Sequence, residues 1–469
     1  MNRTFTDFKR DFYSRFNDAA IFDSGDINLL KVILDGLKVD YASRGGFRCF
    51  VFYPLWTYQF VLFLKRILAR LKGKSSEGLL SALKKHAERE FLVIDSSARV
   101  VRDENGKAYS VYFQRIIGAL GREKTTYFVE SPAIPGLDHD FARQDFEAYF
   151  TTRALDKQDK RLREDLLGAF TRLKSLGIFT VNELVNIRMA IELFFNNYRT
   201  WKGILSCIRP RKVYFDNHYH REGCLLAMRK ARVETIELQH GLIAPEDIFY
   251  LFPETVRPVK GRALFADRIL VYGEYWKNRL LAGVEYSEEQ ISIIGYYHFS
   301  MPDKRAEAQL AELKNGKKVI LVTTQTFMHG YYTQFVAWLA EDNAQKGYDY
   351  WIWVKIHPNE KPEHYSTLAA LPNVKLVDFQ LESLFRFTDI HISVYSTTLY
   401  DALRFNMLNF ALYVEQYGDY VNSVVGSGIA ALLNWKQNPI ESAPHSKTIH
   451  GSIQEMYYAD FDARVLFKN

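Results

Sequence analysis

Short apolar runs alternate with helix-length amphipathic stretches through most of this chain, and the alternation is clearest after Arg209. Residues 212–215 read as a strand, 222–231 as a helix, and 233–238 as a strand ending at Gln239-His240-Gly241. Residues 266–272 (strand), 274–282 (helix) and 291–294 (strand) complete this series. A second series opens with a strand at 318–324 and continues with a helix at 332–344, strands at 350–354 and 374–377 and a helix at 381–387. It ends with a strand at 390–394, a helix at 399–405 and a strand at 410–412. Before Arg209 the pattern is less regular: 91–95 and 125–129 read as strands, and 145–197 reads as largely helical and charged. Strands separated by helices of this length predict parallel βαβ units. The expected fold class is α/β, with two Rossmann-like domains facing across a cleft and a mixed N-terminal region. Domain boundaries fall at 1–300, with a helical insertion near 145–200, and at 317–469, with a polar linker at about 301–316.

Composition narrows this picture. A length of 469 residues exceeds one ordinary core, and 48% hydrophobic with 25% charged residues is a globular balance. A net charge of +6, spread over the whole length, argues against a dedicated nucleic-acid binder. Cys49, Cys207 and Cys224 are odd in number and lack metal-ligand spacing, which fits a reducing compartment. The first residues carry no apolar signal-peptide core, so a cytoplasmic protein is expected. Residues 47–74 combine aromatic runs with Lys65, Arg66, Arg70, Lys72 and Lys74, but Pro54, Thr57 and Gln59 interrupt them. Such a stretch is too broken to span a bilayer. It reads either as a buried strand and helix or as a peripheral contact with an anionic membrane surface.

Candidate chemistry gathers where strands end. Lys355-Ile356-His357-Pro358 follows one apolar run, and Tyr395-Ser396-Thr397-Thr398 follows another and precedes a helix. A cation, an imidazole and hydroxyls at a helix start suit an anion such as a phosphate; helix capping explains the hydroxyls of Ser396 and Thr397 as well. His240 is a candidate general base, since an unperturbed imidazole titrates near neutrality. Asp216-Asn217-His218-Tyr219-His220-Arg221-Glu222 is dense in titratable groups, with Asp216 as a rival base or as the group orienting His240. His218 and His220 do not share a helical face, so a metal site is disfavoured. Glu415 opens a polar loop positioned to meet a base or sugar. No Asp-x-Asp string stands at a strand end, so neither a metal nor a cofactor is expected.

Taken together, Gln239-His240-Gly241, the segment 266–276, Lys355-x-His357-Pro358 and Tyr395-Ser396-Thr397-Thr398 resemble motifs of the two-Rossmann (GT-B) transferases that build bacterial surface polymers. The chain is similar both to CDP-glycerol glycerophosphotransferases and to capsule or lipooligosaccharide sialyl- and Kdo transferases, over about residues 212–420. The resemblance implies donor-phosphate contacts from Lys355, His357, Ser396 and Thr397, with Thr398 beside them, and His240 as the base. Gln239, Gly241, His218 and Glu415 become candidate donor or acceptor contacts. Gln239 stands where the glycerophosphotransferases carry Trp, and the acidic pair of the sialyltransferases is missing here, so the motif alone does not choose between donors. The implied activity is inverting, metal-independent transfer from a nucleotide-sugar, favoured as CMP-linked, to a glycan or lipid-linked acceptor. The alternatives are a polyol-phosphate transferase, a nucleotide-sugar epimerase and a non-catalytic membrane-associated scaffold.

Overall fold

The computed structural model describes residues 14, 18–44, 76–96, 99–103, 105–130, 134–151, 153–218, 220–243, 249–252, 254, 259–299, 303–326, 328–405, 407–442 and 456–468. The candidate membrane-facing stretch 47–74 lies outside these residues. Two compact units account for the chain: Met1–Phe299 with Ala459–Asn469, and Ser300–Tyr458.

The first unit is built on a seven-stranded sheet. Its strands are β1 (Phe91–Asp95), β2 (Thr125–Val129), β3 (Phe141–Ala142), β4 (Lys212–Phe215), β5 (Glu234–Leu238), β6 (Arg268–Val271) and β7 (Ile291–Ile293), in the order β7-β6-β5-β4-β1-β2-β3. All six neighbouring pairs are parallel. Strands β1, β2 and β4 are buried along their whole length, as in a sheet covered on both faces. Helices α1 (Leu30–Arg44), α2 (Lys157–Ser175), α3 (Val181–Leu205), α4 (Glu222–Ala231) and α5 (Glu274–Leu281) belong to this unit. Thr180 and Glu183 form a capping box that starts α3. A Cβ on Gly223 would lie 2.3 Å from the Phe194 carbonyl oxygen, so only glycine lets α4 pack this closely on α3.

The second unit carries six parallel strands: β8 (Lys318–Thr323), β9 (Tyr350–Lys355), β10 (Val374–Val377), β11 (Ile390–Ser393), β12 (Leu408–Leu412) and β13 (Ala431–Leu433), ordered β10-β9-β8-β11-β12-β13. Leu310, Val319, Leu321, Trp353, Leu384, Phe385 and Met407 form its main apolar cluster.

Two doubly wound parallel sheets are thus present, the fold class expected from the alternation. Three boundaries differ from the reading of the sequence. The expected linker contains an 11-residue helix, α6 (Lys304–Lys314), which belongs to the second unit and buries Ala306 and Leu310. Two buried positions in eleven leave a mostly polar pattern, which is why it reads as a linker. The last residues, 459–469, belong to the first unit and not to the second. Ala459 and Asp462 bond to the backbone of Tyr272, Ile294 and Tyr296, and the Lys468 carbonyl accepts from Lys212 Nζ at 2.7 Å. Gly295, at φ +82°, accommodates this crossing: a Cβ there would lie 2.0 Å from the Asp460 carbonyl oxygen. Finally, the helix expected at 399–405 is four residues long, Thr398–Asp401, and it tightens into a 3₁₀ turn at Ala402–Arg404.

Candidate active site

In an open parallel sheet, ligands bind beyond the carboxyl ends of the strands where the strand order reverses. In the first unit that point lies between β1 and β4, and in the second between β8 and β11. Each candidate group can be placed against these two edges.

At the first edge, Ile94 pairs with Phe215, which sets Asp95 and Asp216 side by side as the chain leaves the sheet. Asp216 is fully buried; it accepts the Ser96 hydroxyl and pairs with Arg221 Nη1 at 3.2 Å. Arg221 Nη2 lies 3.1 Å from Glu130 Oε2, and Nη1 donates to the Asn217 carbonyl at 2.9 Å. Glu130 directly follows β2. Burial works to raise its pKa, but Arg221 and Arg143 outweigh that and hold the carboxyl below its usual range. Asp95, also fully buried, accepts the Tyr127 hydroxyl at 2.5 Å. Sequence reading picked out Asp216 here but missed Asp95, Glu130 and Arg221 as a set. The signal was available: each carboxylate ends or directly follows an apolar strand. What sequence could not show is that β1, β2 and β4 are neighbours.

His240 follows β5, the next strand, and is half-buried, with Tyr112 edge-on at 6.5 Å between ring centroids. Its neighbour Gln239 is 1% exposed and clamps the turn: its Oε1 accepts the Tyr272 N–H at 3.0 Å and its Nε2 donates to the Gly241 carbonyl at 2.9 Å. The Tyr297 hydroxyl donates to the Gln239 carbonyl at 2.7 Å. Gln239, expected among the contacts, is therefore buried, with both of its side-chain polar atoms bonded to the backbone around His240. The Gly241 carbonyl is the other half of that clamp. His218 is likewise wholly buried, with Nδ1 2.7 Å from Glu237 Oε2. Burial works to raise the Glu237 pKa, but His218 and the Tyr250 hydroxyl outweigh it and hold the carboxyl below its usual range. His218 thus belongs to the packed interior, and its carboxylate partner is Glu237. Asp216 faces Arg221 and Ser96. Among the described residues, no group of three or more His, Cys, Asp or Glu side chains is arranged to hold a metal ion.

At the second edge, Thr323 and Thr324 leave β8, Lys355 and His357 leave β9, and Tyr395 to Thr398 follow β11. The Thr324 hydroxyl accepts the His357 N–H at 2.8 Å and donates to Glu360 Oε2 at 2.9 Å, which ties the first two loops together. The Asn359 N–H donates to His357 Nδ1 at 3.1 Å, so a neutral His357 carries its proton on Nε2. Lys355 Nζ lies 2.6 Å from Asp378 Oδ1, but that carboxylate is wholly exposed, and a pair of this kind is readily exchanged for another anion. Ser396, Thr397 and Thr398 are half-buried. The Thr398 N–H donates to Ser396 Oγ at 3.2 Å, and Thr398 Oγ1 lies 2.9 Å from Thr323 Oγ1. The four-residue helix that follows has a small dipole, so the attraction of this loop for an anion must come from its individual donors. Glu415 is exposed in a 3₁₀ turn, Glu415–Tyr417, whose Tyr417 ring lies 5.3 Å from Tyr395; the Tyr420 ring lies 5.0 Å from Tyr395. Tyr395 thus joins two motifs that are twenty residues apart in sequence.

Behind this loop, His391 is fully buried, with Nε2 2.9 Å from Thr323 Oγ1 and Nδ1 2.8 Å from Asn409 Oδ1. Burial, against the opposing Asn409 bond, pulls its pKa down from the usual 6.5 to about 4. Between these values the unfolded chain binds a proton that the folded chain refuses. Stability is therefore unaffected above about pH 6.5 and falls as pH drops toward 4. The loss totals roughly 3 kcal/mol at about 1.4 kcal/mol per pH unit. Denaturant unfolding of the wild type and of His391→Gln between pH 7 and pH 4.5 checks this: the wild type is expected to lose more stability than the variant, and equal losses would refute it.

No family model and no curated protein sequence matches the chain. Solved structures with some likeness include MnaA of S. aureus in complex with UDP (14% identity, 81% of this chain and 95% of that chain, TM-score 0.47). Others are the UDP-GlcNAc 2-epimerase of Neisseria meningitidis bound to UDP-GlcNAc (14%, 81% and 98%, 0.45) and a glycosyltransferase of Rickettsia africae (13%, 79% and 91%, 0.41). At these scores the likenesses carry no argument about what this chain does. Among the described residues, no helix is long and apolar enough to cross a membrane.

Proposed function

We propose that the chain is a nucleotide-sugar-dependent glycosyltransferase, inverting and independent of metal, in which the second unit holds the donor's phosphate and His240 of the first unit is the general base. The observation that carries this reading is the gathering of Thr323, Thr324, His357 and Ser396 to Thr398 at the strand-order reversal of the second sheet, where open α/β sheets take their ligands. His357 and Ser396 supply donors for charge developing on the leaving nucleotide, and Lys355 supplies a cation. His240, half-buried beside Tyr112, takes the acceptor proton. The preference for a CMP-linked sugar, and for a bacterial surface glycan as acceptor, rests on the motif resemblance.

A second reading, a nucleotide-sugar epimerase, rests on Glu130, a partly exposed carboxylate that directly follows β2 of the first sheet. Nucleotide release that requires an acceptor glycan fits the transferase; a change of sugar configuration without acceptor fits the epimerase.

Thermal shift with CMP, CDP, UDP, GDP and ADP tests the donor side, because a ligand that binds the native state raises its apparent stability by mass action. Stabilisation by CMP or CDP, lost in His357→Ala, is the expected result. Selective stabilisation by UDP or GDP would discard the cytidine assignment, and no response to any nucleotide would overturn the enzyme reading.

A further inference from the structure

The loop that follows β11 is tied to the interior by a chain of hydrogen bonds whose direction is fixed at its far end. Asn409 Nδ2 lies 2.7 Å from the Leu399 carbonyl and 2.9 Å from the Ile429 carbonyl. Carbonyl oxygens only accept, so the amide nitrogen must face them and Oδ1 must face His391, 2.8 Å from Nδ1. The His391 proton therefore sits on Nδ1. Complete burial keeps the ring neutral, which leaves Nε2 as an acceptor for the Thr323 hydroxyl at 2.9 Å. A hydroxyl has one hydrogen. With its own donated to His391, Thr323 Oγ1 accepts from Thr398 Oγ1 at 2.9 Å. The Thr398 hydroxyl hydrogen points inward, and its N–H is already directed at Ser396 Oγ. Ser396 is placed in the opposite way: its oxygen accepts the Thr398 N–H, and its hydrogen remains to donate.

We infer that Asn409, His391 and Thr323 are positioning residues that set which hydroxyl of the 396–398 loop donates to a bound anion: Ser396 donates outward, and Thr398 is held inward. This rests on the phosphate-binding reading of the loop given above, and it removes Thr398 from the donors which that reading first grouped together. The far end of the chain lies on β12, and Asn409 reaches the loop through the His391 and Thr323 side chains and through the Leu399 carbonyl. A substitution at Asn409 or Thr323 would therefore act on ligand binding without touching the ligand.

The direction of the chain can be read without any ligand. In the full protein labelled with ¹⁵N-histidine, with the His391 signal assigned by its loss in His391→Gln, protonation at Nδ1 is expected; protonation at Nε2 would overturn the inference. Calorimetric titration with the nucleotide that stabilises the wild type reads the consequence. Ser396→Ala is expected to weaken binding by about tenfold or more, the loss of a hydrogen bond to a charged group, and the isosteric Thr398→Val by less than about threefold. Thr323→Val is expected to weaken binding several-fold, with Thr323→Ser restoring it; a purely structural role would lower the melting temperature and leave Kd unchanged. If the wild type binds nucleotide but Thr398→Val costs more than Ser396→Ala, the inference fails and the phosphate reading stands. If the wild type binds no nucleotide, the phosphate reading fails, while the tautomer of His391 still decides the direction of the chain.

Discussion

Arg221→Met is expected to destabilise the first unit by roughly 3–5 kcal/mol, the range for removing one partner of a buried ion pair and leaving the other uncompensated. Arg221 is 2% exposed and lies between Asp216, wholly buried, and Glu130, mostly so. It also packs over the Phe215 ring, 5.6 Å from the centroid. Methionine preserves most of the hydrocarbon volume but leaves two carboxylates facing one another across the ends of β2 and β4. Arg221→Lys keeps the charge, yet a single ammonium cannot reproduce the forked geometry that serves both carboxylates. It is expected to recover only part of the loss. A chain of two units need not unfold in one step, so hydrogen exchange in β1, β2 and β4 is the suitable measure, because it reports the first unit by itself. A loss below about 1 kcal/mol would mean that the carboxylates relax to water.

His240→Ala is expected to lower turnover by about 10²–10⁴, the usual contribution of a positioned general base, while nucleotide affinity stays at the wild-type value. The two readouts separate because His240 follows β5 of the first sheet, whereas the proposed phosphate donors follow β8, β9 and β11 of the second. Asp216→Asn is the informative contrast. Asp216 is buried and held by Arg221 and Ser96, so its substitution should reduce stability more than it reduces turnover per folded molecule. If Asp216→Asn at full folding abolished turnover and His240→Ala did not, the roles of the two residues would be reversed.

Much of the fold is legible in the sequence for a simple reason. Strands of a sheet covered on both faces need apolar residues on both sides, so β1, β8 and β9 each carry a run of four or more apolar residues, Phe91–Ile94, Val319–Val322 and Tyr350–Val354. Knowing where strands end was enough to place His240, His357 and Ser396 to Thr398 in the segments that follow carboxyl ends of strands, where ligands bind in this class of sheet. The short β3 and β13, two and three residues long, escaped notice because so few residues carry no periodicity. Helix α6 escaped because its polar face outweighs its buried stripe.

The sequence by itself determined the two series of parallel βαβ units and the loops in which titratable and hydroxyl side chains stand at strand ends. These are local properties, set by hydrophobic period and by the residues next to each strand. Only the tertiary structure decided the strand order, and with it that Asp95, Glu130, Asp216 and Arg221 meet at one edge and Thr323 with Thr398 at the other. It also decided that Gln239 and His218 are buried, that residues 459–469 complete the first unit, and that Asn409 orients a hydroxyl loop from the adjoining strand. Each of these depends on contacts between residues far apart in the chain, where hydrogen-bond geometry and burial select among arrangements that the local sequence allows equally.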